Sequence, residues 1–180
     1  MPRIGPGAPA CDWMLSDEGR TGALRLAERL EAHLPGAIAS SVEPKARETA
    51  EIVGDYLNCP VKVESGLHEH DRRNVGVLDQ AAFQAAVSEL FDRPSELVFG
   101  RETANAAHGR FEAAVKAVAR KYQPESVAIV THGTVMTLFL SRLLEVAPFP
   151  LWRSLGLPSF AVLSWPELEL VELVTSVARR

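Results

Sequence analysis

The sequence has 180 residues, 47% of them hydrophobic and 23% charged, which is typical of a globular protein and excludes a disordered chain. A net charge of −4 provides no overall basic field to attract nucleic acid or an anionic membrane, so any anion site has to be local. No apolar run reaches the roughly 20 residues of a membrane span. No secretion signal is recognisable, and the two separated cysteines fit free thiols, so we expect a cytoplasmic protein.

Helices and strands alternate along the chain and predict a three-layer α/β/α sandwich with a mostly parallel sheet, formed by residues 1–180 as one domain. The first 15 residues are rich in Gly, Pro and Ala and predict a loop. Two further stretches are predicted as irregular, the polar loop at 66–79 and the proline-rich segment around 148–158. Apolar periodicity, caps and breakers predict helices at 17–34, 44–57, 80–92 and 103–122, strands at 37–41, 61–63, 160–165 and 168–174, and a strand followed by a helix over 127–144.

The apolar run at 127–130 is followed directly by Thr131, His132 and Gly133, where a strand gives way to a helix. A side chain at such a break lies at the carboxyl edge of the sheet, where open α/β sheets bind ligands. The helix directs its unpaired N–H groups towards the same place, which favours an anion such as phosphate. His132 is therefore a candidate phosphoryl contact, with Gly133 and Thr134 as further phosphate ligands. The alternative is a histidine in a tight turn, satisfied by a neighbouring carbonyl.

A second strand end carries Ser40 and Ser41, and a helix begins a few residues later. Lys45 lies in the first turn of that helix, from which its ammonium can reach an anion held at the sheet edge. Ser41 and Lys45 are therefore candidate phosphate ligands. A lysine that is simply solvated near a helix start is the alternative interpretation.

The loop segment from His68 to Arg73 concentrates titratable groups. A phosphate-ester leaving group needs a proton as its P–O bond breaks, and Glu69 is the candidate general acid. Arg72 can bind phosphate oxygens through two parallel hydrogen bonds. A solvated charged loop is the alternative. A metal site from His68 and His70 would need a distant third ligand, so we expect no metal and no cofactor.

Five segments, taken in order, resemble the histidine phosphatase superfamily, which has a phosphoglycerate-mutase-like fold. They are Leu15–Arg20 (Leu-Thr-x-x-Gly-Arg in the family), Ser40–Ala50 (Ser-Ser-Pro-x-x-Arg-Ala-x-x-Thr-Ala), Leu67–Glu69 (Leu-x-Glu), Gly100–Glu102 (Gly-Glu-Ser) and Val130–Gly133 (Val-Ser-His-Gly). The resemblance implies a phosphorylated histidine nucleophile, with His132 as the second histidine and Glu69 as the proton donor. Lys45 matches an arginine of the family, so it keeps the positive charge and loses the planar fork.

The family's N-terminal Arg-His-Gly has no counterpart, because Arg3-Ile4-Gly5 has an isoleucine in place of the histidine. Isoleucine has no lone pair with which to attack phosphorus. A second alignment puts 2–6 in the loop after the nucleophile, which would place the strand and its histidine upstream of Met1. Either way, we expect the 180 residues to lack the nucleophile and to be inactive as they stand.

Three hypotheses stay open. The first is a phosphomonoesterase of the histidine phosphatase type, truncated as given, that acts on a small phosphorylated metabolite. The second is a catalytically inactive phosphate-ester-binding or regulatory domain, and the third a scaffold for protein contacts. A mutase is less expected, because Glu69, Asp71 and Asp79 make the loop acidic. The expected partners are a phosphorylated small molecule or inorganic phosphate, with neither nucleic acid nor membrane; the oligomeric state is open, a homodimer being one option.

Overall fold

A computed structural model describes residues 2–3 and 10–177 of the chain. No helix in these ranges is both long and apolar enough to cross a lipid bilayer. The helices are α1 (Asp17–Leu30), α2 (Pro44–Leu57), α3 (Gln80–Asp92), α4 (Ala104–Tyr122), α5 (Gly133–Leu143) and α6 (Pro148–Ser154). The strands are β1 (Pro2–Arg3), β2 (Met14–Leu15), β3 (Ala37–Ser40), β4 (Val61–Val63), β5 (Val127–Val130), β6 (Phe160–Leu163) and β7 (Leu170–Val174).

A parallel three-stranded sheet in the order β4-β3-β5 forms the centre of the fold. In its register, Ile38 of β3 lies between Val61 of β4 and Ala128 of β5. All four residues of β3 are buried, because this strand has a neighbour on each side and helices on both faces. An antiparallel hairpin of β6 and β7 and a short antiparallel ladder of β1 and β2 complete the described strands.

Two apolar clusters cover the two faces of the sheet. The α1–α2 cluster contains Ile38 with Leu26, Ala27, Ala50 and Val53. The α4–α5 cluster contains Ala39 with residues of α3, α4 and α5. Since neighbouring residues of β3 point to opposite clusters, the sheet is the middle of three layers. The predicted three-layer α/β fold with a parallel sheet is thereby confirmed.

The β6–β7 hairpin lies in the same layer as the parallel sheet. Phe160 and Val162 of β6 pack against the α1–α2 cluster, whereas Ala161 and Leu163 pack against the α4–α5 cluster. No strand pairing joins β5 to β6 in the described ranges. All four residues of β5 are only half-buried although their sequence is Val-Ala-Ile-Val. In the described part of the chain, β5 therefore keeps one edge open, on the side away from β3.

The prediction of a continuous loop over residues 1–15 is wrong in part. Pro2–Arg3 pairs with Met14–Leu15, and a short 3-10 turn spans Ala10–Asp12. The ladder depends on a tertiary contact, because the backbone N–H of Leu15 donates to the Glu48 carboxylate of α2 at 2.9 Å. Positions 4–9, which include the Arg-Ile-Gly mismatch at Ile4 and Gly5, lie outside the described residues.

The segment predicted as irregular around 148–158 contains α6. Pro148 occupies the first helical turn, where its missing N–H costs nothing. The helix is held by aromatic packing, since Trp152 meets Phe83 of α3 edge-on with ring centroids 5.8 Å apart. The first predicted helix also ends early, at Leu30, and a 3-10 turn leads to Leu34 in the left-handed region (φ 44°). Strands β6 and β7 are each two residues shorter than predicted.

Candidate active site

The parallel pairing of β3 and β5 brings their carboxyl ends together and places Ser41 beside His132. The N–H of Ser41 donates to the carbonyl of Val130 at 2.9 Å, which aligns the two strand ends. The Nε2 atom of His132 and the hydroxyl of Ser41 lie 2.8 Å apart and share one hydrogen bond. Both residues are buried, His132 with 7% of its surface exposed. Two residues 91 positions apart in sequence thus meet at the predicted edge of the sheet.

The N-terminus of α5 is occupied by the Glu69 carboxylate. One oxygen accepts a hydrogen bond from the N–H of Thr134 at 3.1 Å. The other accepts from the N–H of Val135 at 3.2 Å and of His70 at 2.9 Å. These amides are the donors that an anion at a helix N-terminus uses. A phosphate contact through the N–H of Thr134 would therefore require Glu69 to move. A phosphate contact at Gly133, the first residue of α5, stays a prediction.

A second carboxylate, that of Glu43, lies next to His132. Its Oε1 accepts from the backbone N–H of Glu69 at 2.8 Å and is 3.6 Å from Nε2 of His132. Its Oε2 is 2.5 Å from the ammonium of Lys45. The residue is 6% exposed. Lys45 is therefore at the site as predicted from the sequence, but it contacts a buried carboxylate that the sequence analysis did not single out.

Arg72 supplies the second cation of the site. Its guanidinium lies over the ring of Phe83 at 4.6 Å from the centroid, and its Nη1 is buried with no hydrogen-bond partner in the described ranges. Its charge acts on both Glu69 and His132. The neighbouring Arg73 forms a two-bond ion pair with Asp71. Its charge is therefore balanced locally, whereas the charge of Arg72 acts on Glu69 and His132.

Arg110 of α4 holds the loop that carries Glu69. Its guanidinium donates to the carbonyls of Gly66 and His68 at 2.8 and 2.9 Å and pairs with the Glu102 carboxylate at 2.6 Å. Glu102 also accepts from the N–H of Asp71 at 2.9 Å. Thr103 caps α4, whereas Glu102, the residue before it, holds the loop through Asp71 and Arg110. Arg110 was missed, since one arginine on a long helix gives no local signal.

Burial and charge set the protonation states of the two central residues. Burial lowers the pKa of His132 to about 4, although Glu43 and Glu69 oppose the shift. Burial alone would raise the pKa of Glu69, but Arg72, His132 and the backbone N–H groups hold it at about 2. At pH 7 the imidazole is therefore neutral and the Glu69 carboxylate is ionised. The contact between His132 and Glu43 is consequently not an ion pair at that pH.

A cavity of about 360 Å³ opens beside these groups, a volume suited to a small metabolite. Glu43 lines this cavity, and it also contacts His132, which is not one of the lining residues. No group of three or more His, Cys, Asp or Glu side chains in the described ranges is arranged to hold a metal ion. His70, one of the two histidines considered as metal ligands, donates instead through Nε2 to the carbonyl of Glu102 at 2.9 Å. The cavity is lined by Cys11, Asp12, Val42–Lys45 and His68–Arg73.

The sequence profile of the histidine phosphatase superfamily (branch 1) matches residues 8–170. The chain belongs to this superfamily. A metal-independent phosphoserine phosphatase from Arabidopsis thaliana is 27% identical over 143 residues. That match covers 74% of the chain and 59% of the relative, so the chain spans less than two thirds of the relative's length.

Two solved structures of the superfamily's fold are also similar. The first is a mycobacterial glucosyl-3-phosphoglycerate phosphatase in complex with inorganic phosphate, and its sequence is 25% identical. The TM-score is 0.68, and the match covers 96% of the chain and 93% of the chain in that structure. The second is a phosphoserine phosphatase from Entamoeba histolytica in complex with 3-phosphoglyceric acid, and its sequence is 14% identical. The TM-score is 0.74, and the match covers 93% of the chain and 87% of the chain in that structure. The second likeness shows the fold alone.

The resemblance read from five sequence segments is thus confirmed at the level of the family. In this histidine phosphatase chain, His132, Ser41, Lys45, Glu69 and Arg72 all lie at one end of the sheet. Their roles in phosphate binding or catalysis stay predictions. Sequence reasoning did not predict the contacts of Glu43, Glu102 and Arg110, each of which binds a backbone group of the loop at 66–71 that is distant in sequence.

Proposed function

We propose that this chain forms the phosphate-binding part of a phosphomonoesterase of the histidine phosphatase type. The observation that carries the proposal is the convergence of His132, Ser41, Lys45, Arg72 and Glu69 beside one small cavity, in a chain of this superfamily. The names of the relatives, phosphatases of phosphoserine and of glucosyl-3-phosphoglycerate, support a small phosphorylated metabolite as the substrate.

The proposed proton donor is Glu69, which is ionised in the absence of ligand. Its pKa is low because Arg72 and backbone N–H groups stabilise the carboxylate against the opposing effect of burial. A phosphoryl dianion that takes over Arg72 removes part of this stabilisation. Burial then dominates and raises the pKa, so that Glu69 takes up a proton and can pass it to the leaving-group oxygen.

The nucleophile is proposed to come from residues upstream of Met1. No histidine precedes His33 in the sequence, and Ile4 occupies the matching position of Arg3-Ile4-Gly5. The open edge of β5 and the absence of pairing between β5 and β6 would accommodate one further apolar strand in the described layer. A histidine at the end of such a strand would lie at the same edge as His132. Its ring nitrogen would bond to phosphorus as the P–O bond to the leaving group breaks.

A second candidate function is phosphate-ester binding without hydrolysis. It is favoured by the replacement of the family's arginine by Lys45 and by the placement of its ammonium against Glu43. A domain of this kind would hold a phosphorylated ligand and would regulate or deliver it.

Hydrolysis of p-nitrophenyl phosphate by two versions of the protein tests these proposals. One is the 180-residue chain, and the other is extended by the codons upstream of Met1. We expect activity only in the extended version, its loss by more than a hundredfold in His132→Ala, and thermal stabilisation of both versions by phosphate. A stop codon immediately upstream, together with phosphate binding and no hydrolysis, would favour the binding domain. No stabilisation by phosphate in either version would exclude both functions.

A further inference from the structure

The side chain of Glu43 does not do what an acid at its position normally does. Glu43 is the N-cap residue of α2, yet its carboxylate makes no hydrogen bond to that helix end. It turns instead into the site, where the side chain is 7% exposed. Burying a carboxylate is costly unless specific partners replace its water. The contacts that Glu43 makes inside the site therefore explain its orientation.

Those contacts are of the kinds that a phosphoryl group uses. The Glu43 carboxylate accepts from the backbone N–H of Glu69, lies 2.5 Å from the Lys45 ammonium and is 3.6 Å from Nε2 of His132. A backbone amide, a cation and an imidazole edge are typical ligands of phosphate oxygens. Glu43 lines the cavity and also lies beside His132, which is not among the lining residues.

The site carries no excess of positive charge without a ligand. Lys45 and Arg72 contribute two positive charges, and Glu43 and Glu69 contribute two negative charges, while His132 is neutral at pH 7. The other charged groups of the cavity are the Arg73–Asp71 ion pair and the acid Asp12. A dianion added to this arrangement would give a buried excess of negative charge, which is strongly unfavourable. Uptake of one proton by Glu69, as proposed above, offsets only one of the two added charges, so binding of a dianion also favours the departure of an internal carboxylate. Glu69 is fixed by three backbone N–H groups, whereas Glu43 accepts from one and borders the cavity.

The position bounded by the backbone N–H of Glu69, the Lys45 ammonium and Nε2 of His132 is called the phosphate seat below. We propose that the Glu43 carboxylate occupies this phosphate seat in the unliganded protein and has to leave it before a phosphoryl group can bind. This inference rests on the proposed function, because it assumes that the seat binds phosphate. It makes Glu43 an internal competitor that weakens the affinity for every anion at this seat. In the unliganded protein, Glu43 holds the Lys45 ammonium in place.

Sulfate binding to Glu43 variants tests this proposal, because sulfate is a tetrahedral dianion over the whole accessible pH range. The affinity is measured by calorimetric titration in a low-salt buffer without other polyvalent anions. Glu43→Gln should bind sulfate at least tenfold more tightly than the unmodified protein. Glu51→Gln, the same change on an exposed part of α2, is the matched control and should bind sulfate as the unmodified protein does.

Glu43→Asp separates occupation of the seat from a general effect of charge. The shorter side chain keeps the charge but falls short of its present contacts, so it should also bind sulfate more tightly. An affinity equal to that of the unmodified protein would mean that Glu43 acts only through its charge, and would overturn the proposal. In anion-free buffer, the Tm of Glu43→Gln should be lower than that of the unmodified protein, because the Lys45 ammonium lacks its counter-charge. Addition of sulfate should raise this Tm again.

The remaining outcomes distinguish this inference from the proposed function. If the unmodified protein binds sulfate, Lys45→Met abolishes binding and Glu43→Gln changes nothing, the phosphate seat stands and the role of Glu43 is overturned. If neither the unmodified protein nor any Glu43 variant binds sulfate, both proposals fail. Circular dichroism of each variant shows that it is folded, and Glu43→Ala replaces any variant that is not.

Discussion

At the scale of single residues, the site depends on one arginine that no local pattern reveals. Arg110 reaches from α4 to three carbonyls of the loop at 66–71 and to the Glu102 carboxylate. Its side chain is 21% exposed and that of Glu102 is 16% exposed, so water replaces these hydrogen bonds poorly. The position of Glu69 therefore follows from a contact made more than 40 residues away along the chain.

Replacing Arg110 by Met should destabilise the protein by about 3 kcal/mol, because it leaves buried carbonyls and the Glu102 carboxylate without their donor. Sulfate affinity should fall as well, since the loop carries Glu69 and Arg72. Urea denaturation at pH 7 gives the first value and calorimetric titration the second.

Arg93→Met is the matched control, because it removes an arginine that pairs with Glu89 and Glu96 entirely at the surface. It should leave both stability and sulfate affinity nearly unchanged. Equal losses of stability and sulfate affinity in the two variants would show that the contacts of Arg110 with Glu102 and the loop have no special role.

At the scale of elements, helix α2 approaches the sheet at a glycine. A Cβ atom on Gly54 would come within 2.5 Å of Cγ2 of Val61 and 3.0 Å of the carbonyl oxygen of Cys59. One neighbour is a stiff β-branched side chain and the other is backbone, so neither can yield easily. The close contact between α2 and β4 therefore needs a residue without a side chain.

Gly54→Ala should destabilise the protein by about 1–2 kcal/mol, because overpacking outweighs the gain in helix propensity. Gly109→Ala, at an interior position of α4 where a Cβ meets no atom within 4 Å, should stabilise it by up to about 1 kcal/mol. Thermal and urea denaturation measure both. A stabilising Gly54→Ala would mean that α2 sits farther from β4 than the structure shows.

At the scale of the whole molecule, the neutral state of His132 links folding to pH. The pKa of this imidazole is about 4 in the folded protein, and its ordinary value is 6.5. Between these values the unfolded chain binds a proton that the folded chain excludes. Stability therefore falls as the pH is lowered through this window, with the contribution fully present above the ordinary pKa.

Lowering the pH from 7 to 5 should cost about 2 kcal/mol of stability through His132 alone. His132→Gln should lose that part of the pH dependence, and His33→Gln, which changes a histidine far from the site, should keep it. Urea denaturation of the three proteins at a series of pH values measures the difference. Parallel curves for all three would contradict a neutral buried imidazole at position 132.

The open edge of β5 is a second property of the whole molecule. Ile38, Ala39 and Ser40 of β3 have a partner on both sides, whereas β5 is paired only with β3 in the described ranges. Hydrogen exchange followed by NMR should therefore show fast exchange for the β5 amides that point away from β3 and slow exchange for those of β3. Uniform protection of β5 would mean that its second edge is covered.

Much of the fold could be predicted because its signals are local. Pro44 begins α2, Asp79 caps α3, and the apolar run at 127–130 forms β5 within the predicted bounds. The meeting of Ser41 and His132 was predictable for a related reason, since both follow strands of one parallel sheet. Helix α6 and the ladder of β1 and β2 were not predictable, because the packing of Trp152 against Phe83 of α3 and the contact of Leu15 with Glu48 stabilise them.

The sequence by itself determined the family, the layered α/β architecture and the end of the sheet at which the site lies, because spacing, caps and short motifs are properties of neighbouring residues. Only the tertiary structure decided how the charges of that site are paired. It placed Glu69 on the N-terminus of α5 and Glu43 against Lys45 and His132, and it left one edge of β5 open. These features depend on burial and on partners distant in sequence, and a buried charge takes whichever partner the fold brings within reach.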